Sequence, residues 1–289
     1  MARKKRSTAL KKKSGALKKK STARKKSATG TVSQRSNHPA KTSAKIARHT
    51  PPRKKQLKYD MEIETRVDRE IAAFLEEEYA AKGEKLYQWY QYRFLAAKNQ
   101  YLTSSIGLAH YDKAIAHFVI ERCSFADSFV EIGAAAGQES ILLAMMGMST
   151  CAVGWNADNF DMMKRLVARI AERLDPDLPK RMTTRDDYYP DRAVEYVDAK
   201  TIVAFPTLSG ALDAVRERAI LDSLRSAGGV ILSLYDFYRH RAQPAEQAEL
   251  IAQIRELGFG APVDVRAWDK WDMGFRPDRI VFLRNLAAR

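Results

Sequence analysis

The sequence predicts an α/β protein with a doubly wound, mostly parallel sheet, preceded by a basic N-terminal arm. From about residue 125 onward, short apolar runs alternate with stretches whose apolar residues recur at helical spacing. Such alternation is typical of β-α-β units, which place helices on both faces of a parallel sheet. Positive charge, in contrast, is concentrated before residue 60.

The charge of the chain is divided between two regions. Residues 1–58 hold 21 Lys and Arg side chains and no Asp or Glu, whereas the remaining residues hold 29 basic and 35 acidic side chains. A basic arm is therefore joined to a mildly acidic body. We predict an arm and linker over residues 1–60, an N-terminal helical cap region over 61–124 and the main domain over 125–289, lengths that leave room for a full-sized core.

The arm contains a seven-residue repeat whose copies start at Ser7, Ser14 and Ser21. One large apolar residue per repeat cannot form a buried seam, so the pattern favours disorder over a coiled coil. In composition the arm is similar to the Lys-rich tails of linker histones and bacterial histone-like proteins. It predicts contact with nucleic acid or another polyanion through residues 1–58, without base stacking because the arm has no aromatic residues. A solubilising tail and a cleaved transit peptide are the alternatives.

The cysteine content and hydropathy indicate a soluble, cytoplasmic protein. The basic arm is compatible with association with a nucleoid or nucleus. Cys123 and Cys151 have neither metal-ligand spacing nor a Cys-x-x-Cys arrangement, so we expect buried free thiols and no metal site. No apolar run approaches the roughly 18 residues of a membrane span, and no signal peptide is visible.

Residues 128–140 are the stretch around which the body is organised. A short apolar run ending at Ile132 meets Gly133, passes through three alanines to Gly137, and continues as a helical pattern. This predicts a buried strand, a turn without bulky side chains and a helix packed on the sheet. Such a turn lets a ligand approach the backbone closely, although an ordinary strand-to-helix turn would have the same pattern.

The segment Glu131-Ile-Gly-Ala-Ala-Ala-Gly137 resembles motif I (Asp/Glu-x-Gly-x-Gly-x-Gly) of the class I S-adenosylmethionine-dependent methyltransferases. Glu131, Gly133 and Gly137 match, and Ala135 replaces the middle glycine. The resemblance implies that these four residues bind S-adenosyl-L-methionine. The glycine spacing differs from the Gly-x-Gly-x-x-Gly of dinucleotide-binding proteins, which disfavours an NAD-dependent oxidoreductase.

The order of elements extends this resemblance over about residues 125–289. Four further strands are predicted near residues 150–155, 181–185, 201–205 and 230–235, separated by helices, and a terminal hairpin near 263–268 and 279–283. The resemblance implies a seven-stranded Rossmann-like methyltransferase sheet whose last strand is antiparallel to the others.

The resemblance also implies further cofactor-binding residues at the strand ends. Asn156 stands where the family carries an acid for the ribose hydroxyls, and an amide pairs with hydroxyls more weakly, so Asp158 is the alternative. Asp186 is the candidate for the adenine amino group, or else a solvated loop acid. Phe205 ends the fourth strand, at the edge where open α/β sheets bind ligands.

A hydroxyl or amine acceptor would be helped by a general base, for which Asp236, His240 and His110 are the candidates. The segment Phe205-Pro-Thr-Leu208 does not match the Asp/Asn-Pro-Pro-Tyr/Phe tetrad of amino-methyltransferases that act on DNA bases, which disfavours base N-methylation. We therefore predict a methyltransferase acting on an unidentified acceptor. The alternative is a catalytically inactive, nucleic-acid-associated protein with the same fold, and the sequence predicts no oligomeric state.

Overall fold

The computed structural model describes residues 56–83, 106–154, 157–186, 197–205, 214–233, 244–267 and 279–288. These residues form one mixed sheet of seven strands with order β3-β2-β1-β4-β5-β7-β6. The strands are β1 (Ser128–Ile132), β2 (Ser149–Gly154), β3 (Met182–Asp186), β4 (Thr201–Phe205), β5 (Gly229–Ser233), β6 (Val263–Ala267) and β7 (Arg279–Arg284). The first five are parallel, and β7 inserts antiparallel between β5 and β6.

Seven α-helices are described between and before the strands. They are α1 (Met61–Lys82), α2 (His110–Arg122), α3 (Gln138–Met145), α4 (Ala157–Arg173), α5 (Leu178–Arg181), α6 (Ala214–Ser223) and α7 (Pro244–Glu256), with a 3-10 turn at Leu224–Ser226. The short helix α5, which has Pro179 in its first turn, was not predicted from the sequence. Proline is tolerated in the first turn of a helix, where its missing N–H has no partner to lose.

Successive side chains of a strand point to opposite faces of the sheet, so the apolar core is divided between the two faces. In β1, Phe129 packs on the face covered by α1, α2, α3 and α4, whereas Val130 and Ile132 pack on the opposite face with α6 and α7. In β7, Phe282 belongs to the first face and Val281 to the second. Burial on both faces explains why apolar residues occupy consecutive positions in these strands, at 129–130 and at 280–283, and it confirms the doubly wound sheet.

Helix α1 is held on α4 by three arginines of α4 that pair with glutamates of α1. Arg169 contacts both Glu70 and Glu77, Arg173 contacts Glu70, and Arg165 pairs with Glu78. The apolar stripe of α1, which includes Ile71 and Leu75, is fully buried in the first core face. The two helices described before β1, α1 and α2, therefore share the core of the main sheet.

The chain enters the body at the edge formed by the amino ends of the parallel strands. Leu57 lies against Gly147, in the connection between α3 and β2. The Tyr59 backbone N–H donates to the Glu121 carboxylate in the last turn of α2 (3.1 Å). The centroids of the Tyr59 and His117 rings lie 4.8 Å apart. Asp60 then caps α1 by accepting from the N–H groups of Glu62 and Ile63.

Both cysteines are buried and free, as predicted. No helix within the described ranges is long and apolar enough to cross a membrane.

Candidate functional site

The carboxyl ends of the parallel strands form one edge of the sheet, and the chain reverses its direction of winding there. Strand β1 lies between β2 and β4, with β3 beyond β2 on one side and β5 beyond β4 on the other. The helices that follow β1 and β4 therefore leave on opposite faces, which opens a crevice at the strand ends. This edge, between the ends of β1 and β4, is the candidate site.

The turn after β1 presents mainly backbone to this edge. Gly133 has φ of +79°, a conformation that favours glycine. The N–H groups of Gly133 and Ala134 both donate to the Val153 carbonyl of β2, at 2.9 and 3.0 Å. The side chains of Ala134 and Ala136 are buried in the first core face, and that of Ala135 is only partly buried. Among the described residues, the turn is therefore covered by no large side chain of its own, and Gly133 and Ala135 are partly exposed.

Gly137 ends the turn and precedes the first residue of α3. Its φ is +70°, and a Cβ at this position would lie 2.9 Å from the Met163 Sδ atom and 3.2 Å from the Met182 Cε atom. The residue is therefore required both by its backbone conformation and by the packing of α4 and β3 beneath the turn. That packing fixes the direction in which α3 leaves the site.

Glu131 joins β1 to the first turn of α3. Its carboxylate accepts from the Ser140 backbone N–H at 3.0 Å and from the Ser140 hydroxyl at 2.6 Å. The side chain is 4% exposed, and this burial raises its pKa to about 7 against the lowering effect of the two Ser140 bonds. The residue that matches the motif I acid thus holds the glycine turn by capping a helix.

Two more carboxyl groups are buried beside Glu131. Glu139, in the first turn of α3, is 1% exposed, and Asp112, in the first turn of α2, is 2% exposed. Burial raises the pKa of Glu139 well above its ordinary value, and the neighbouring carboxyl groups of Glu131 and Asp112 raise it further. A folded protein with such a cluster binds protons more tightly than the unfolded chain does.

The segment before α2 is fixed next to the same turn. The Gln138 side-chain amide donates to the Gly107 carbonyl, and the Leu108 N–H donates to Asp68 Oδ1 of α1 at 2.8 Å. A Cβ on Gly107 would lie 2.2 Å from the Asp68 carbonyl oxygen, so only glycine allows this approach of the segment to α1. The start of α2, and with it His110, therefore lies at the candidate edge.

The other residues predicted from the sequence divide into described and undescribed groups. Asp186 is the last residue of β3, is exposed and pairs in register with Gly154, the last residue of β2. Asp158 is exposed in the first turn of α4. Phe205 ends β4, but its ring is 2% exposed within the second core face, so a ligand at this edge would meet its backbone. Asn156, Asp236 and His240 lie outside the described residues.

No role in the site was predicted from the sequence for Ser140, Gln138, Glu139 or Asp112. The signal that could have found the first three is that they are polar residues at the start of an otherwise apolar helix, immediately after the glycine turn. Within the described ranges, no group of three or more His, Cys, Asp and Glu side chains could hold a metal ion.

Comparison with solved structures finds methyltransferases. Magnesium protoporphyrin IX methyltransferase from Synechocystis, solved with bound SAM, is 11% identical, covers 79% of this chain and 98% of its own, and has a TM-score of 0.46. The methyltransferase domain of bacterial CtHen1 is 13% identical over 60% of this chain and 97% of its own, with a TM-score of 0.44. Precorrin-6y C5,15-methyltransferase from Geobacter metallireducens is 13% identical over 55% of this chain and 81% of its own, with a TM-score of 0.36.

No protein-family model matches the chain, and no curated protein matches its sequence. The fold assignment therefore depends on the sheet itself. Five parallel strands in the order β3-β2-β1-β4-β5, with β7 antiparallel between β5 and β6, form the arrangement that the resemblance implied. The described part of the chain has the class I methyltransferase fold.

Proposed function

We propose that the protein is an S-adenosyl-L-methionine-dependent methyltransferase whose acceptor is not yet identified. The observation that carries this proposal is the turn from Gly133 to Gly137, which presents backbone and one methyl group at the β1/β4 crevice. A ligand with an amino-acid end can approach such a backbone closely, and the start of α3 favours its carboxylate.

The described residues at this edge suit the rest of the cofactor. Strand β2 ends in Gly154 and strand β3 in the exposed Asp186, whose carboxylate can accept from an amino group such as that of adenine. Asp158 is exposed in the helix that follows β2 and can accept from ribose hydroxyls. In this assignment Glu131 acts indirectly, because its carboxylate is bound to Ser140.

When bound, the cofactor supplies a sulfonium methyl group that an acceptor nucleophile displaces in line. The chain contributes mainly orientation, which can supply roughly 7–11 kcal/mol of the barrier. A hydroxyl or amine acceptor would also lose a proton. We propose His110 as this base, because α2 begins with it, close in sequence to the Gly107 carbonyl that Gln138 binds, whereas Asp236 and His240 remain predictions from the sequence.

The proposed contact between residues 1–58 and nucleic acid follows from charge. These residues carry 21 positive side chains and no acidic one, and phosphate binding by such a chain is driven by counterion release. If the body proves unable to bind the cofactor, the arm supports the second candidate function, a nucleic-acid-associated protein with an inactive methyltransferase fold. Ala135 at the middle glycine position of the motif favours that alternative.

Isothermal titration calorimetry of the full-length protein with S-adenosylhomocysteine tests the proposed function. We expect one site per chain with a dissociation constant in the micromolar range, which corresponds to a binding free energy on the order of −7 to −8 kcal/mol. Gly133→Val, which places a branched side chain at a positive φ in the turn, should weaken binding at least about tenfold. Gly260→Val is a control distant from the turn, since a Cβ there would make only ordinary contacts with Arg284 and Leu286. Absence of binding at millimolar ligand would exclude the proposal.

A further inference from the structure

One peptide group connects helix α1 to the first residue of helix α3. The N–H of the Gly107–Leu108 peptide donates to Asp68 Oδ1 of α1 at 2.8 Å. The carbonyl of the same peptide accepts from the Gln138 side-chain amide of α3. Because a peptide group is planar and rigid, the orientation that Asp68 gives to its N–H also fixes the carbonyl that Gln138 binds. Asp68 and Gln138 are therefore linked through this peptide.

Apolar packing alone does not explain this arrangement. A Cβ on Gly107 would lie 2.2 Å from the Asp68 carbonyl oxygen and 2.5 Å from Asp68 Oδ1, so the approach requires glycine. Leu108 is fully buried, and its side chain would hold the segment on the core without either hydrogen bond. The two bonds add a fixed orientation of the peptide, because hydrogen bonds are directional and apolar contacts are not.

The Asp68 carboxylate is itself held by helix α2. Its Oδ2 atom accepts from the Lys113 ammonium group at 2.8 Å, and Lys113 also pairs with Glu64 of α1 at 3.3 Å. Burial lowers the pKa of Lys113, but the two carboxylates outweigh burial and raise this pKa above its ordinary value, so the ammonium group stays charged. With both of its oxygens bound, Asp68 presents one fixed acceptor to the peptide.

The other end of this connection lies at the glycine turn. Gln138 is the first residue of α3, directly after Gly137, and is 6% exposed. The Glu131 carboxylate of β1 holds the same helical turn through Ser140. The start of α3 is thus held by two elements, by β1 through Glu131 and by α1 through the peptide. A ligand carboxylate bound at this helix start would depend on both.

We propose that Asp68 is a positioning residue of the candidate cofactor site, on which it acts through the Gly107–Leu108 peptide and Gln138. The inference deepens the proposed function and rests on it for the identity of the ligand. Loss of the Asp68 acceptor frees the peptide to rotate, and the freed peptide no longer restrains Gln138 and the start of α3. Because both hydrogen bonds belong to one peptide, their contributions to ligand binding should not be additive.

Calorimetry of full-length variants with S-adenosylhomocysteine tests this role. We expect Asp68→Ala to raise the dissociation constant about tenfold, and Gln138→Met, which has a side chain of similar length without a donor, to raise it by a similar factor. Asp68→Asn keeps an oxygen that accepts from the Leu108 N–H, so its dissociation constant should stay within about threefold of the wild-type value. The double variant Asp68→Ala/Gln138→Met should bind only slightly more weakly than either single variant.

Glu70→Ala is the matched control on the same helix. Glu70 pairs with Arg169 and Arg173 of α4, so this variant also removes a salt-bridged acid of α1 but leaves the Gly107–Leu108 peptide bound on both sides. Its dissociation constant should change by less than about twofold. Thermal unfolding followed by circular dichroism identifies a temperature at which each variant is folded, and calorimetry is carried out below it.

Four results would overturn the inference while the proposed function stands. They are wild-type binding by Asp68→Ala, an equal loss in Glu70→Ala, an equal loss in Asp68→Asn, and additive losses in the double variant. If Asp68→Ala does not fold, Gln138→Met decides in its place, and wild-type binding by that variant would overturn the inference. Absence of binding by the wild-type protein at millimolar ligand would instead overturn the proposed function and the inference together.

Discussion

Replacing Gly137 by valine is expected to lower the free energy of unfolding by about 3 kcal/mol and to disrupt the candidate site. Two costs combine at this position. The backbone has φ of +70°, which costs an L-residue roughly 1–2 kcal/mol, and the new Cβ would lie 2.9 Å from the Met163 Sδ atom. Overpacking a core of this kind typically costs about 1–3 kcal/mol more. Urea unfolding, followed by circular dichroism, measures the loss.

Gly137→Val in a Met163→Ala background is the matched control for this experiment. The left-handed backbone strain at residue 137 is the same in both backgrounds, but the Met163 Sδ atom that would lie 2.9 Å from the new Cβ is absent from the second. The valine should therefore destabilise this background less than it destabilises the wild type, by about 1–3 kcal/mol. Equal losses in the two backgrounds would show that Met163 does not constrain the turn.

Glu139→Gln is expected to stabilise the protein at pH 8 and to leave its stability nearly unchanged at pH 4.5. Glu139 is 1% exposed beside Glu131 and Asp112, and burial together with these acids raises its pKa. At pH 8 folding requires this carboxyl group either to take up a proton or to be buried ionised, at a cost on the order of 1–3 kcal/mol, whereas the amide is neutral in both the folded and the unfolded state. Below the ordinary glutamate pKa both the carboxyl group and the amide are neutral, so the advantage should vanish there.

The sign of the pH dependence follows from the raised pKa values. Between the ordinary value of 4.5 and about 7, the folded protein retains a proton on Glu131 that the unfolded chain releases. Stability must therefore fall as the pH rises through this range, by about 3 kcal/mol for Glu131 alone, and Glu139 adds to the fall. In urea unfolding from pH 4.5 to 8, the free energy of unfolding of Glu139→Gln should fall less steeply than that of the wild type.

An exposed glutamate on α4 provides the comparison for this variant. Glu172→Gln should change the free energy of unfolding by less than about 0.5 kcal/mol at every pH. If Glu139→Gln instead destabilises the protein at pH 8, the carboxylate makes a favourable interaction that outweighs its burial. The buried-acid account of the cluster would then be wrong.

The order and type of the elements after residue 125 were predictable because buried parallel strands leave continuous apolar runs. Strand β4, Thr201–Phe205, was predicted with its observed bounds, since β-branched and apolar residues begin and end together there. Strand β3 lies one residue later than the predicted 181–185. Short α5 was missed because proline both ends one helix and begins the next.

The side-chain partners within the candidate site were less predictable. The motif identified Glu131 and the two glycines, but no spacing rule showed that Ser140 would donate a hydrogen bond to the Glu131 carboxylate. Nor could the sequence bring Asp112 beside Glu139, because that proximity depends on how α2 packs against α3. Contacts between elements distant in sequence are set by tertiary packing, which local patterns do not encode.

A crystal structure with S-adenosylhomocysteine bound tests the central claim most directly, because that claim concerns where a ligand lies. The account predicts density for the amino-acid end over the turn from Gly133 to Gly137, and for the nucleoside near Gly154 and Asp186. Ligand density at any other place, or a turn closed by side chains with no ligand at millimolar concentration, would contradict it.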